Sequence, residues 1–253
     1  MIIVGPRSRD SANRLAERLG AFVCGSELSE DTLLDAYILK TREFVVNYGG
    51  RYSRANLNRN IVTNKMRAAE LITAAGISTP KLFHVTDAIL DGDFPLMGRA
   101  ITHSNGSDII MVRNRMELDT IGCDCDFYMK FIEKDKEYRV HVMKNPRTVE
   151  TKIIVKENRD PDADNTICSD DSWLHLDYDT FRYPRYAAKL RDLSIAAITT
   201  LGYDFGTVDI IRKGETFYVL EVNSGSWLNT RMIEKYARYI LQCKELSMGY
   251  EGR

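Results

Sequence analysis

The stretch GYDFGTVDIIRKGETFYVLEVNSGSWLN, Gly202 to Asn229, decides how the rest of the chain is read. Two segments in it, Thr207–Ile211 and Glu215–Val222, are rich in Val, Ile, Phe and Tyr and predict a pair of strands. Asp209, Glu221 and Asn223 interrupt that apolar background with oxygen-bearing side chains. A carboxylate inside a sheet is costly unless a cation meets it. Side chains alternate along a strand, so a two-residue loop would set Asp209 and Glu221 on opposite faces. A three-residue loop, Arg212-Lys213-Gly214 with Gly214 in the left-handed position of a bulged turn, pairs Ile211 with Glu215 and Asp209 with Phe217. Asp209, Glu221 and Asn223 then share one face. Oxygen-only donors of this kind suit a hard cation, Mg2+ or Mn2+, which usually also binds substrate phosphates.

The totals bound the class. A chain of 253 residues holds one large domain or two to three small ones. Its formal net charge of −1 offers no global attraction to nucleic acid or to an anionic membrane. No apolar run reaches the roughly eighteen residues of a membrane span. The opening MIIVGPRSRD reads as a first strand and not as a signal peptide. Cys24, Cys123, Cys125, Cys168 and Cys243 are odd in number and lack paired zinc spacing, so a reducing cytoplasm is expected.

Along the chain, Ile2–Val4, Ser11–Leu19, Ala21–Cys24, Asp31–Lys40 and Glu43–Asn47 alternate strand and helix, which predicts a small parallel sheet. Thr63 is expected to cap a helix over Asn64–Ala75 that stops at Gly76. Residues 82–142 are strand-rich around a helix at Arg115–Ile121, and Thr102–Asp108 is a small polar loop able to offer backbone N–H groups to phosphate. Glu137, Arg139 and His141 alternate with apolar residues and share a face; Arg139 suits bidentate contact with phosphate or carboxylate. Glu150–Glu157 is the next strand, carrying Lys152 and Lys156. Asn158–Asp171 is read as a loop, and His175 as a surface residue. Arg185–Leu201 and Asn229–Leu241 are amphipathic helices flanking the hairpin. Neither GxGxxG nor GxxxxGK[ST] occurs, which excludes Rossmann and P-loop phosphate sites.

The order of these features carries a resemblance. Asn64-Lys65-Met66, Gly76-Ile77-Ser78-Thr79-Pro80, Phe94–Arg99, Met129–Glu133, Glu137–Val142, then Asp209 and Glu221-Val222-Asn223, resemble the ATP-grasp superfamily over about residues 44–241. The similarity is to compact carboxylate–amine ligases, relatives of D-alanine–D-alanine ligase and the ribosomal-protein glutamate ligases. It implies an α+β fold with an α/β N-terminal part and nucleotide bound between two β-sheet subdomains. The expected boundaries are 1–63 for the N-terminal domain, 64–130 for the small subdomain and 131–253 for the large one.

The resemblance also implies roles. Arg99 would touch the ATP phosphates, and His103, Ser104 and Gly106 lie in the loop that would cover them. Lys130, Phe131 and Ile132 match the strand that contacts adenine, and Glu133 is the ribose candidate. Arg139 and Lys152 would be catalytic, and Asp209, Glu221 and Asn223 would bind Mg2+ (or Mn2+). Two departures stand out: the loop carries Gly106 as its one glycine, and Ser224-Gly225-Ser226-Trp227 stands where many ligases have Thr-Ala-Pro-Gly. The implied activity joins a small-molecule or peptide carboxylate to an amine through an acyl phosphate, with ATP as the energy source. A kinase that stops at phosphoryl transfer, and a nucleotide-binding protein without turnover, are the alternatives. Oligomeric state is open.

Overall fold

Short apolar triplets build the first layer. Ile2–Val4 (β1), Phe22–Val23 (β2) and Val45–Asn47 (β3) form a parallel sheet in the order β2-β1-β3. Parallel neighbours need crossovers, and Asp10–Leu19 (α1) and Leu33–Thr41 (α2) supply them. α1 turns Ala12, Leu15 and Ala16 inward, the spacing of one helical face. The strand–helix alternation read from the sequence is present. The structure, a computed structural model, describes residues 1–6, 10–101, 109–121, 125–158, 173–178, 180 and 182–250.

Lys65–Ala74 (α3) starts one residue later than expected. Its cap is Asn64, whose Oδ1 accepts from the Arg67 amide at 2.8 Å. Leu82–His84 (β4), Leu96–Arg99 (β5), Ile110–Val112 (β6) and Phe127–Lys130 (β7) then form an antiparallel sheet ordered β4-β7-β5-β6, with Arg115–Ile121 (α4) between β6 and β7. Ala68, Ile72 and Ile77 pack outside this sheet's own core, joining the core of the next one.

That larger sheet contains Lys136–Lys144 (β8), Val149–Asn158 (β9), Trp173–Asp177 (β10), Phe205–Lys213 (β11) and Thr216–Asn223 (β12), ordered β10-β9-β8-β11-β12 and antiparallel throughout. One face buries Tyr138, Val140, Val142, Ile153, Val208, Ile210, Phe217 and Val219 against Pro184–Thr200 (α5) and α3. The other face is divided. At one end Met143 and Phe205 pack under Thr230–Tyr250 (α6) together with Tyr48 and Ile3 of the N-terminal layer. Beyond them the same face turns polar.

The structure corrects the hairpin. Lys213 pairs with Thr216, so the loop is Gly214-Glu215, two residues instead of three. Gly214 takes a positive φ of 57°, which the first position of such a turn requires. The parity that this loop would break is restored inside β12. Ile210 pairs with Val219 and Asp209 with Glu221, leaving Leu220 as the extra residue of a β-bulge. Phe217 and Val219 therefore enter the core, while Glu221 and Asn223 turn to the polar face. Two further extents differ from expectation. β10 follows the polar segment where no strand was expected, and the last helix continues past Leu241 to Tyr250, burying Cys243 on the way.

Leu220 is thus a spacer whose value is its presence. Deleting it would drive either Glu221 into the apolar core or Val219 out of it. The deletion variant should lose about 3–5 kcal/mol. Leu220→Ala, which keeps the residue count, should lose far less. Urea midpoints of the two variants against the parent check this.

Candidate active site

The polar face can be followed row by row across the sheet. Lys152, His141, Thr207 and Asn223 are neighbours; next come Ile154, Arg139, Asp209 and Glu221; then Lys156, Glu137 and Ile211. At the centre, buried Asp209 accepts two parallel hydrogen bonds from Arg139, Nε to Oδ1 and Nη2 to Oδ2, both 2.8 Å. Burial alone would raise the Asp209 pKa, but Arg139 and Lys156 outweigh it and hold the carboxyl below its ordinary range. Burial likewise works against the charge of Arg139, and Asp209 more than offsets it. Lys156 is buried between Glu137, to which it donates, and Asp209, 3.8 Å away. Lys134 also donates to Glu137. Glu137 stays ionised because these two lysines outweigh its burial.

Glu221 is the second pole. Its Oε2 accepts from Lys65 Nζ at 2.9 Å and from Arg99 Nη2 at 3.0 Å, and its Oε1 accepts from Asn223 Nδ2 at 2.8 Å. Burial opposes its charge, yet Arg99 and Lys65 press its pKa well below the usual value. Asp209, Glu221 and Asn223 thus sit on one face with oxygen donors only, a set that fits a hard divalent cation. No group of three or more His, Cys, Asp or Glu is placed to hold a metal among the described residues, so the Asn223 amide oxygen would have to be the third donor.

The remaining expected residues are placed as follows. Arg99 and Arg139 are at the centre, whereas Lys152 stands one row away with its Nζ 2.8 Å from Asp177. Lys130 directs its ammonium at the carbonyls of Asp93 and Phe94, both 2.7 Å, and of Gly92. The Phe131 amide donates to the Pro95 carbonyl at 3.0 Å, Ile132 is half-buried, and Glu133 is exposed with Lys213 4.0 Å away. His103, Ser104 and Gly106 lie outside the described residues, as does 159–172. Two site residues were named in the sequence reading but given no role there, Lys65 and Lys156. The parity of β9 was the available signal for Lys156. His175, expected at the surface, is half-buried and meets Trp227 edge-on with ring centroids 6.2 Å apart.

The loop after Asn223 is fixed from the N-terminal layer. Tyr48 donates its hydroxyl proton to the Ser226 carbonyl, and the Ser226 and Thr207 hydroxyls meet. A Cβ on Gly225 would lie 2.6 Å from the backbone of Gly49, so the two chains touch where no side chain fits.

D-alanine–D-alanine ligase from Bacillus anthracis superposes with a TM-score of 0.66 at 14% identity, over 99% of this chain and 99% of that one. The chain has the ATP-grasp fold. N5-carboxyaminoimidazole ribonucleotide synthetase from Thermotoga maritima, also ATP-grasp, superposes at 0.61 and 13% identity over 95% of this chain and 74% of that one. The biotin carboxylase domain of the Hydrogenobacter thermophilus 2-oxoglutarate carboxylase gives 0.63 and 14%, over 96% and 68%. No family model and no curated protein matches the sequence. In the ATP-grasp arrangement seen here, Arg99 of β5 in the four-stranded sheet reaches Glu221 of β12 in the five-stranded one.

His141 supplies a pH test of this packing. It is buried, its Nδ1 lies 3.2 Å from the Tyr236 hydroxyl, and burial first, then Arg139, lowers its pKa from 6.5 to about 3. The unfolded imidazole takes a proton below pH 6.5 while the folded one does not until about pH 3, so stability falls as pH drops through that window. Between pH 6.5 and 5 the loss should be ~2 kcal/mol, and His141→Asn should flatten it. Denaturant midpoints measured across that range provide the check.

Proposed function

We propose that this chain is an ATP-dependent carboxylate–amine ligase. In this reading a substrate carboxylate takes the γ-phosphoryl group of ATP, releasing ADP, and an amine then displaces phosphate from the acyl phosphate to leave an amide. The observation that carries the reading is the cross-sheet cluster in which Lys65 and Arg99 meet Glu221 beside the Arg139–Asp209 pair. The ATP-grasp fold supports it further.

Each group has a physical task. Lys65 comes from the start of α3 and Arg99 from the end of β5 in the four-stranded sheet, and they supply positive charge for phosphate oxygens. Arg139, rigidly aimed by Asp209, offers a guanidinium face to negative charge that spreads over a transferring phosphoryl group. Asp209, Glu221 and Asn223 would hold Mg2+ or Mn2+, which when bound offsets phosphate charge and orients its oxygens. The chain need supply no covalent nucleophile, because the substrate carboxylate is itself the attacking group. Phe131 and Ile132 beside β7 would border the adenine, and the segment holding His103, Ser104 and Gly106 would cover the phosphates. Donor and acceptor are small molecules or peptides.

Screening purified protein for ADP release with amino acids, peptides and amine-bearing nucleosides tests the activity. An amide product supports the ligase, and a stable phosphorylated product would make it a kinase. Glu221→Gln keeps the size and shape of the side chain but removes the charge and replaces one acceptor oxygen with a donor NH2, so Lys65, Arg99 and Asn223 no longer all have an acceptor there. It should lower ADP formation by at least about 100-fold while the circular dichroism spectrum is unchanged. Retained turnover would remove Glu221 from the site.

The two carboxylates are already neutralised, Asp209 by Arg139 and Glu221 by Lys65 and Arg99. A divalent ion should therefore bind tightly only together with an anion that draws Lys65 and Arg99 away. Mn2+ titrated by electron paramagnetic resonance should bind at least about tenfold more tightly with ADP present than without it. Lys65→Gln should narrow that gap.

A further inference from the structure

The polar face carries a second pair of cations closed on one carboxylate, and nucleotide phosphates do not account for it. Lys152 Nζ lies 2.8 Å from Asp177 Oδ1, and Arg231 Nη1 lies 3.1 Å from Asp177 Oδ2. The three residues come from β9, from the first turn of α6 and from β10, so separate elements converge on one point. Two positive charges share one negative charge, which leaves a net attraction for anions. The Asp177 side chain is 60% exposed, and its strand forms the outer edge of the sheet. Lys152 faces the same side as Arg139, on the neighbouring strand and two residues along, which sets their Cα atoms roughly 8 Å apart. Lys65 and Arg99 approach from the opposite side, over β12. The Arg139–Asp209 pair thus stands between two cation pairs.

The space between them has a wall. Trp227, 54% exposed, leans across from the loop after β12 to meet His175 of β10 edge-on at 6.2 Å. His175 pairs with Lys156 and Asp177 with Ile154, so both β10 side chains lie on the face that holds Arg139, Asp177 in its row and His175 in the next. The Arg231–Asp177 pair closes the end of that wall.

We propose that Lys152 and Arg231 anchor a free carboxylate of the amine-bearing substrate beside the Trp227–His175 wall, with Asp177 holding that place until the substrate displaces it. The acceptor class is then an α-amino acid or a peptide with an unblocked C-terminus. Amine-bearing nucleosides and simple alkylamines are excluded because they offer nothing to the two cations. With the Arg139 and Lys152 Cα atoms roughly 8 Å apart, one amino-acid residue is long enough to reach from the Arg139 side chain to the Lys152 side chain. This rests on the ligase reading, since it assigns the acceptor end of the same site. Its charge logic is that of any bidentate carboxylate site, in which each oxygen meets its own cation.

The test compares the common L-amino acids and simple dipeptides with their carboxamides, by ligand-observed NMR on the full chain and without turnover. ADP binding is followed on the same samples by calorimetry, so that a failure of the nucleotide site is seen separately. At least one free acid should bind about tenfold or more tightly than its amide. Arg231→Gln and Lys152→Gln should each erase that preference while ADP binding is retained. Asp177→Asn should leave the acid bound as tightly or more so, because it weakens the competing carboxylate; a mere strap between α6 and β10 would give no such gain. The proposal is overturned if no acid outbinds its amide, or if the preference survives in Arg231→Gln.

Discussion

Everything on the polar face is arranged around one buried ion pair, Arg139 with Asp209. Two charges withdrawn from water at the middle of a sheet are tolerated only when geometry and additional partners are both good. Here both hydrogen bonds are 2.8 Å, and Lys156 of β9, Glu137 of β8 and Lys134 just before β8 extend the alternation of charge. The pair bridges β8, the central strand of the five, and its neighbour β11, so its rigidity is that of the sheet itself. The apolar opposite face, from Tyr138 to Val219, carries the stability that such an ionic centre does not provide.

Around that centre, charge is distributed so that each carboxylate has cationic neighbours from a different element. Glu221 draws on α3 and β5, Asp209 on β8 and β9, and Asp177 on β9 and α6. The result is a surface that is electrically quiet as a whole yet ready to exchange partners. That agrees with a net charge of −1 for the chain, which by itself indicates no anionic ligand. A small global charge can conceal strong local poles.

Parity made much of this legible in the sequence. Alternation put Glu137, Arg139 and His141 together, and the spacing from Asp209 to Asn223 required one extra residue somewhere. Where it sits was not legible, since Gly214 suits a two-residue turn as well as a bulged one, and a bulge at Leu220 leaves no mark in residue type. Lys65 was hidden for another reason. Its partner lies 156 positions away, and a lysine at a helix start looks like any solvated side chain until the sheets are brought together. β10 is a short edge strand beyond a long polar run, and without it neither the setting of His175 nor that of Asp177 can be read.

The apolar layer under α6 has a consequence for how the protein is made. Ile3, Leu15 and Val46 from the N-terminal layer share one core with Phe205, Met232, Tyr236 and Ile240. During synthesis the first of these leave the ribosome long before the last. The N-terminal layer must therefore wait, with part of its apolar surface uncovered, until translation has passed Ile240, a delay during which chaperone capture competes with docking.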